Sequence, residues 1–187
     1  MSTSGQATRD LLIREATALD AQALAAVQVR SWRAAYRGII DDAYLDALSV
    51  QRRRDGLLAW FRDHPSSSFA RVAVDGDARI VGFAMGGEAR TGRRPMLGEV
   101  YVIYLLPESQ RQGVGTRLMR SMARGFDLRG MDSLVIWVLQ RNPARAFYER
   151  LGGRPGATRP TSVGRQSLGE VAYSWDELAP LGVASAA

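Results

Sequence analysis

Residues 99–119 read EVYVIYLLPESQRQGVGTRLM, and this segment predicts a strand, a polar turn and a helix in direct succession. Glu99–Leu105 is rich in β-branched and aromatic residues, and Pro107 ends the run because proline cannot donate to a strand ladder. A helix is predicted over Gly113–Arg129, since an apolar residue recurs at every fourth position from Val114. The rest of the chain is interpreted outward from this strand and helix.

The turn between them, Gln110–Gly115, has the chemistry of a phosphate site. The first N–H groups of a helix lack partners within the helix and lie at the positive end of its dipole. Glycine at positions 113 and 115 leaves these groups open to an anion, and Arg111 and Arg117 add positive charge. Tight packing alone would also explain the two glycines. A Walker loop is excluded because no Gly-Lys-Ser/Thr follows, and Leu118 stands where a dinucleotide fingerprint needs its third glycine.

The elements on either side complete a mixed α/β (α+β) pattern, with a central, mostly antiparallel sheet of six to seven strands and about four flanking helices. We expect a flexible N-terminus over residues 1–10, a single domain over 11–178 and a flexible tail over 179–187. The other predicted strands are Leu11–Ala16, Phe69–Val74, Arg79–Met85, Leu134–Leu139, Arg154–Ala157 and Leu168–Trp175. The other predicted helices run from Asp20 to Tyr36 and over Asp42–Leu48, Val50–Arg62 and Pro143–Leu151.

The amino-acid composition indicates which partners and which cellular compartment to expect. The chain has 187 residues, no cysteine, one histidine and a net charge of +6, and all of its basic residues are arginine. Scattered arginines do not predict a nucleic-acid surface, although a modest positive field helps to gather a polyanion. No apolar run reaches the roughly 18 residues of a membrane span. We therefore expect a cytoplasmic protein with no bound metal, no membrane partner and no nucleic-acid partner.

Two motifs resemble those of the GNAT N-acetyltransferase superfamily, in its branch of small bacterial enzymes. The turn Gln110-Arg-Gln-Gly-Val-Gly115 resembles the family signature Gln/Arg-x-x-Gly-x-Gly/Ala. The segment from Asn142 to Gly153, NPARAFYERLGG, resembles the family block Asn…Phe-Tyr-Glu-x-x-Gly-Phe, with Gly153 in place of the usual aromatic residue. The resemblance extends from Ile13 to Trp175.

The resemblance implies acetyl-CoA as the cosubstrate and assigns residues to its parts. The strand before the turn pairs with the pantetheine arm, and the turn binds the pyrophosphate. Asn142 contacts the arm or the thioester, although a helix-capping role is equally compatible with its position. The residues assigned to acetyl-CoA are Ile103, Tyr104, Leu105, Arg111, Gln112, Gly113, Val114, Gly115, Thr116 and Asn142.

The resemblance also implies two catalytic residues. Tyr148 would protonate the departing thiolate, and Glu99 would act as general base through a water molecule. Each has a plainer alternative, since Tyr148 also fits a helix face in the core and Glu99 a solvated strand start. The oxyanion donor would be a backbone N–H near Leu105 or Leu106.

We expect the acceptor pocket to be formed by the first helical region and by the strand that comes before the turn. Trp32 and Tyr36, together with the pair Asp41-Asp42, would form an aromatic and acidic pocket for a cationic amine. Packing of the two rings on the sheet is the alternative. Tyr101 falls on the same strand face as Glu99 and would line this pocket.

The predicted function is transfer of the acetyl group of acetyl-CoA to a primary amine of a small molecule by direct attack in a ternary complex. A protein acetyltransferase and a non-catalytic acetyl-CoA-binding module remain alternatives. Exposed edge strands make a homodimer compatible with the sequence.

Overall fold

The computed structural model describes residues 11–90 and 96–184, so the predicted flexible segment 1–10 and residues 185–187 lie outside the described residues. Seven strands form one sheet in the order β1-β2-β3-β4-β5-β7-β6. Only β4 and β5 are parallel neighbours. The strands are β1 Leu12–Glu15, β2 Phe69–Val74, β3 Ile80–Glu88, β4 Leu97–Leu105, β5 Ser133–Leu139, β6 Arg154–Val163 and β7 Gln166–Trp175.

The described residues contain five α-helices, and each overlaps one of the helices predicted above. They are α1 Ala21–Ala35, α2 Asp42–Asp46, α3 Val50–Asp63, α4 Val114–Asp127 and α5 Arg145–Arg150. The mixed α/β class and the mostly antiparallel sheet are confirmed. None of these described helices is long and apolar enough to cross a membrane.

Helix α4 packs closely on the sheet because two strand glycines lie beneath it. A Cβ on Gly98 would come within 2.8 Å of Phe126 Cδ1, and one on Gly86 within 2.8 Å of Phe126 Cζ. Phe126 is fully buried and meets Phe69 edge to face, with ring centroids 5.1 Å apart. This packing fixes the position of α4, and therefore of the turn at its N-terminal end.

Strand β6 is longer than predicted. The sequence predicted a strand over Arg154–Ala157, with a loop between it and the last strand, Leu168–Trp175. In the structure β6 continues to Val163 and forms a hairpin with β7. Proline is tolerated there because β6 is an edge strand of the sheet and carries no ladder on its outer side.

The predicted tail, 179–187, begins with residues that pack on the core. Ala179–Leu181 form a 3-10 turn, and Leu181 is fully buried in the cluster around Phe126.

The structure explains why Gly153 stands where the family block has an aromatic residue. A Cβ at Gly153 would lie 2.6 Å from Trp175 Cζ2, so the indole of Trp175 occupies that space.

Candidate active site

Strands β4 and β5 separate at the centre of the sheet. They pair only from Leu97–Ser133 to Val100–Ile136, and the ladder ends there. A cavity of about 140 Å³ lies where they diverge. Its lining residues come from both strands, α1, α5, β6 and β7: Trp32, Tyr36, Tyr101, Val102, Ile103, Tyr104, Ile136, Trp137, Val138, Leu139, Asn142, Tyr148, Val163 and Glu170.

The turn between β4 and α4 presents a row of unused backbone donors. The N–H groups of residues 111–116 form no hydrogen bond with any described residue, whereas Arg117 N–H already bonds the Gly113 carbonyl at 3.0 Å. Residues 110–113 are exposed. Arg111 and Gly113 hold left-handed conformations, with φ of 58° and 78°, which gives the turn its shape. Free N–H groups at a helix N-terminus suit a pyrophosphate, so this turn fits the predicted anion.

The two glycines of the motif have different roles. A Cβ on Gly113 would meet nothing within 4 Å, so this residue is needed for its backbone conformation and its open surroundings. Gly115 is buried, and a Cβ there would lie 3.1 Å from Phe147 Cζ. Its missing side chain therefore makes room for Phe147 of α5, which is the packing alternative that the sequence left open.

Two polar side chains at the turn are used within the protein. Gln112 Nε2 donates to the Glu108 carbonyl at 2.7 Å, and Arg117 donates to the Leu11 carbonyl. Val114 is buried in the core. Arg111 is exposed. Arg117 is exposed as well, but its bond to Leu11 leaves Arg111 as the one of the two predicted arginines whose side chain has no hydrogen bond with a described residue.

Tyr148 lies on α5 at the wall of the cavity. Its side chain is 5% exposed, and its hydroxyl forms no hydrogen bond with a described residue. Burial, reinforced by Tyr36, Tyr104 and Tyr173, raises the pKa of Tyr148 well above its ordinary value. The group is therefore a protonated phenol at neutral pH, facing the space between the separated strands.

Asn142 uses both ends of its side-chain amide within the protein, and its predicted contact with the cosubstrate stays a prediction. Its Oδ1 accepts from the Ala144 N–H at 2.8 Å, as a residue at the start of α5 does, and its Nδ2 donates to the Tyr36 hydroxyl at 2.9 Å. Burial raises the pKa of Tyr36, with Tyr104 adding to the effect. Asn142 thus ties α1 to the beginning of α5 across the cavity.

The predicted aromatic wall is present. Trp32 meets Tyr36 edge to face at 5.2 Å between ring centroids, and Tyr104 at 6.5 Å. All three line the cavity, as does Tyr101, whose hydroxyl donates to the Glu88 carbonyl at 2.8 Å. The rings pack on the sheet and also form the cavity wall, and their contact with an acceptor stays a prediction.

Glu99 is buried, not solvated, and is 1% exposed. Its two oxygens accept from Arg90: the backbone N–H reaches Oε2 at 3.0 Å, and Nε reaches Oε1 at 3.1 Å. The Arg90 guanidinium also lies 4.7 Å from the Tyr101 ring centroid, which places Glu99 and Tyr101 on one side of β4. Tyr101 reaches the cavity, but Glu99 is not among its lining residues.

The predicted oxyanion donor at Leu106 is wrong. Its N–H donates to the Val81 carbonyl at 2.9 Å and is not available. The Leu105 carbonyl accepts from the Ser31 hydroxyl at 2.6 Å. This bond anchors α1 to the end of β4.

The model of the Acetyltransferase (GNAT) family matches residues 28–153, which include the separated strands, the turn and α5. The chain belongs to the GNAT acetyltransferase family. An uncharacterized N-acetyltransferase, YuaI, of Bacillus subtilis is 34% identical over 169 residues, covering 90% of this chain and 95% of that protein. The enzyme is accordingly an acetyl-CoA-dependent N-acetyltransferase.

Two further relatives of this acetyltransferase are informative. A mycothiol acetyltransferase of Rhodococcus jostii is 32% identical over 96 residues, or 50% of this chain and 31% of its own length. The crystal structure of the PaiA N-acetyltransferase of Thermoplasma acidophilum in complex with coenzyme A has a TM-score of 0.66 at 18% identity. It covers 86% of this chain and 97% of the other. This last likeness supports the fold.

Glu170 is a charged residue of the cavity lining that the sequence analysis did not identify. Glu170 lies on β7, and the predicted acidic residues Asp41 and Asp42 are used elsewhere. Asp41 caps α2 by accepting from the Ala43 N–H at 3.1 Å, and Asp42 pairs with Arg37 at 3.1 Å. Sequence order gave no signal for Glu170, because it reaches the cavity only when β7 inserts between β5 and β6.

No group of three or more metal-ligating side chains occurs within residues 11–90 and 96–184. His64, the single histidine of the chain, stacks on Trp60 with ring centroids 4.3 Å apart, outside the cavity.

Proposed function

We propose that this acetyltransferase moves the acetyl group of acetyl-CoA to a primary amine of a small molecule by direct attack in a ternary complex. The observation that carries the proposal is the cavity between the separated strands, which has the Tyr148 hydroxyl on its wall. The same strand β4 leads from this cavity to the free N–H groups of the turn. A cosubstrate and an acceptor can therefore meet at one place inside the sheet.

The residues present suit acetyl-CoA. The N–H groups of residues 111–116 would hold the pyrophosphate, with Arg111 nearby. Ile103–Leu105, which have no ladder partner on the β5 side, would hold the pantetheine arm, and Asn142 lies next to that path. The chemistry that acetyl-CoA supplies is a thioester carbonyl and a thiolate leaving group.

In the reaction, the amine nitrogen forms a bond to the carbonyl carbon and the carbon–sulfur bond breaks. Tyr148 gives its proton to the departing sulfur, because its raised pKa keeps it protonated over the working range. The same burial that raises the pKa of the phenol also disfavours a bare thiolate, so the sulfur has a strong demand for that proton.

The proton that the amine loses is assigned to Glu99 through a water molecule. Glu99 lies on β4, the strand that carries Ile103–Leu105, and Arg90 fixes the position of both its oxygens. Because its carboxylate is outside the cavity lining, a water beside Tyr101 must connect it with the amine.

Two observations favour a small acceptor. The cavity of about 140 Å³ is walled by the side chains of Trp32, Tyr36 and Val163 on its acceptor side. One relative, the mycothiol acetyltransferase of Rhodococcus jostii, is named for a small molecule. Side chains from α1 and β6 thus leave room for a single amine-bearing chain.

The test is a thiol-release assay with acetyl-CoA over a panel of small amines and of peptides with free N-termini or lysines. The proposal expects turnover on small amines, and initial rates whose double-reciprocal lines intersect, as a ternary complex requires. Since the chain contains no lysine, acetylation of its own side-chain amines adds no background. Turnover on peptides alone would favour a protein acceptor, and acetyl-CoA binding without turnover on any amine would favour a non-catalytic module.

A further inference from the structure

One carboxylate faces the cavity. Among the lining residues that the structure describes, Glu170 is the single acidic side chain. It lies on β7 opposite Leu139 of β5 and Arg159 of β6, and its side chain is 17% exposed. The acceptor side of the cavity therefore has one carboxylate within an aromatic wall.

Only half of this carboxylate is used within the protein. Glu170 Oε2 accepts from Arg159 Nε at 2.9 Å, whereas Oε1 forms no hydrogen bond with any residue of 11–90 or 96–184. The Arg159 guanidinium also stacks over the Trp137 ring at 3.9 Å, so the arginine is held on two sides. This arrangement fixes the carboxylate and leaves one oxygen for a donor from outside.

The reacting amine is a poor partner for that oxygen. An amine must be neutral to attack, and a carboxylate that contacts its ammonium form stabilises the wrong protonation state. A second cationic group keeps its charge throughout the reaction, so its bond to Glu170 persists from the bound state to the transition state. The chemistry of a fixed negative charge therefore suits a group that does not react.

We propose that Glu170 binds a second cationic group of the acceptor, so that the preferred acceptor is a diamine. This inference rests on the function proposed above and adds the acceptor class. The rings of Tyr36 and Tyr101, which line the same cavity, supply faces along which a cationic chain can lie. Glu170 is a specificity-determining residue in this scheme, and it takes no part in moving protons.

The experiment compares three acceptors of equal chain length: cadaverine, its amino-alcohol analogue and its amino-acid analogue. For the wild type, kcat/KM is expected to fall in that order. Glu170→Gln should lower kcat/KM for cadaverine by at least about tenfold, the factor that corresponds to one charge-assisted hydrogen bond. The same substitution should leave the amino alcohol within about twofold, which also reports that the variant is folded. The dissociation constant of cadaverine, measured by calorimetry with coenzyme A present, should rise in parallel.

Glu15→Gln is the matched control, because Glu15 also pairs with an arginine, Arg71, at 2.7 Å but lies on β1 outside the cavity. It should leave all three acceptors unchanged. An equal loss for all three acceptors in Glu170→Gln, or a wild type that prefers the amino acid, would overturn the inference while the acetyltransferase function stands. A wild type that acetylates none of the three, and no other small amine, overturns both.

Discussion

The two halves of the site are built in different ways. Apart from Asn142, the half assigned to acetyl-CoA comes from one continuous segment, residues 103–116, and offers mainly backbone N–H groups. The acceptor half is assembled from side chains on α1, β5, α5 and β7, among them Tyr36, Trp137, Tyr148 and Glu170. Binding of acetyl-CoA should therefore tolerate most side-chain substitutions but be lost when the backbone conformation of the turn changes. Activity should instead depend on single side-chain atoms in the acceptor half.

The largest effect is expected from removing one such atom. Tyr148→Phe should lower kcat by 10²- to 10⁴-fold, the usual contribution of a general acid, and should leave the dissociation constant of acetyl-CoA within about twofold. Stopped-flow or steady-state kinetics with binding calorimetry would separate the two quantities. Tyr173→Phe is the control, since it also removes a buried hydroxyl, one that donates to Glu149 at 2.8 Å outside the cavity lining. An unchanged kcat in Tyr148→Phe would return that residue to a packing role.

The pH profile sharpens the same prediction. Because burial raises the pKa of Tyr148, the hydroxyl remains protonated as pH increases through the usual tyrosine range near 10. The wild-type kcat should therefore show no decline up to about pH 10 from loss of this proton. A descending limb between pH 8 and 9 that disappears in Tyr148→Phe would contradict a raised pKa.

The backbone-built half should break at Gly113. A β-branched residue is strained at its φ of 78°, and its side chain would enter the space beside the free N–H groups. Gly113→Val should weaken acetyl-CoA binding by roughly 30- to 100-fold, equivalent to the loss of one or two hydrogen bonds to a charged group. The measurement is calorimetry with acetyl-CoA.

Gly130→Val separates strain from binding in this experiment. Gly130 follows α4 with φ of 76° and, like Gly113, has open space where a Cβ would stand. The two variants should lose similar thermal stability, of the order of 1–2 kcal/mol, but Gly130→Val should bind acetyl-CoA as the wild type does. Equal losses of affinity would mean that strain, and not the blocked N–H groups, is responsible.

A smaller effect is expected at Glu99. Glu99→Gln removes the proposed base but keeps the shape of the side chain, and because this base acts only through a water molecule, kcat/KM at pH 7 should fall by less than the roughly 10²-fold at which general-base contributions usually begin. The loss should shrink as pH rises toward the pKa of the amine, because more of the acceptor is then already neutral. A loss that is the same at every pH would assign Glu99 a structural role through its bonds with Arg90.

The smallest effect is expected from the exposed side chain of the turn. Arg111→Gln should weaken acetyl-CoA binding by only about three- to fivefold, because an exposed charge is screened by water and salt. The difference from the wild type should fade as ionic strength rises. A loss as large as that of Gly113→Val would show that this half depends on side chains after all.

The sequence predicted the continuous half well for a physical reason. β4, the turn and α4 follow from local properties: β-branched residues, a proline stop, and Gly113 in a left-handed conformation. Trp32 and Tyr36 were also placed on the cavity wall. The residue roles in catalysis and binding stay predictions until variants are measured.

The acceptor half could be predicted only in part because it depends on strand order. Glu170 and Trp137 share a face only after β7 pairs with β5, and no local pattern encodes that pairing. The pairing of Glu99 with Arg90 depends on the return of β3 beside β4. Asp41 and Asp42 were predicted to give the acceptor pocket its acidic character. They instead bond with partners close in sequence, Asp41 as a helix cap and Asp42 in an ion pair.

The contact between Gly115 and Phe147 couples the turn assigned to the pyrophosphate with the helix that carries Tyr148. Phe147 rests on the first turn of α4, and Tyr148 is the next residue along the chain. A side chain gained at position 115 would push the ring outward and turn the neighbouring phenol away from its target. A larger side chain at position 115 therefore requires a smaller one at position 147. Among relatives, these two positions should vary together, while the other residues of the acceptor wall vary independently.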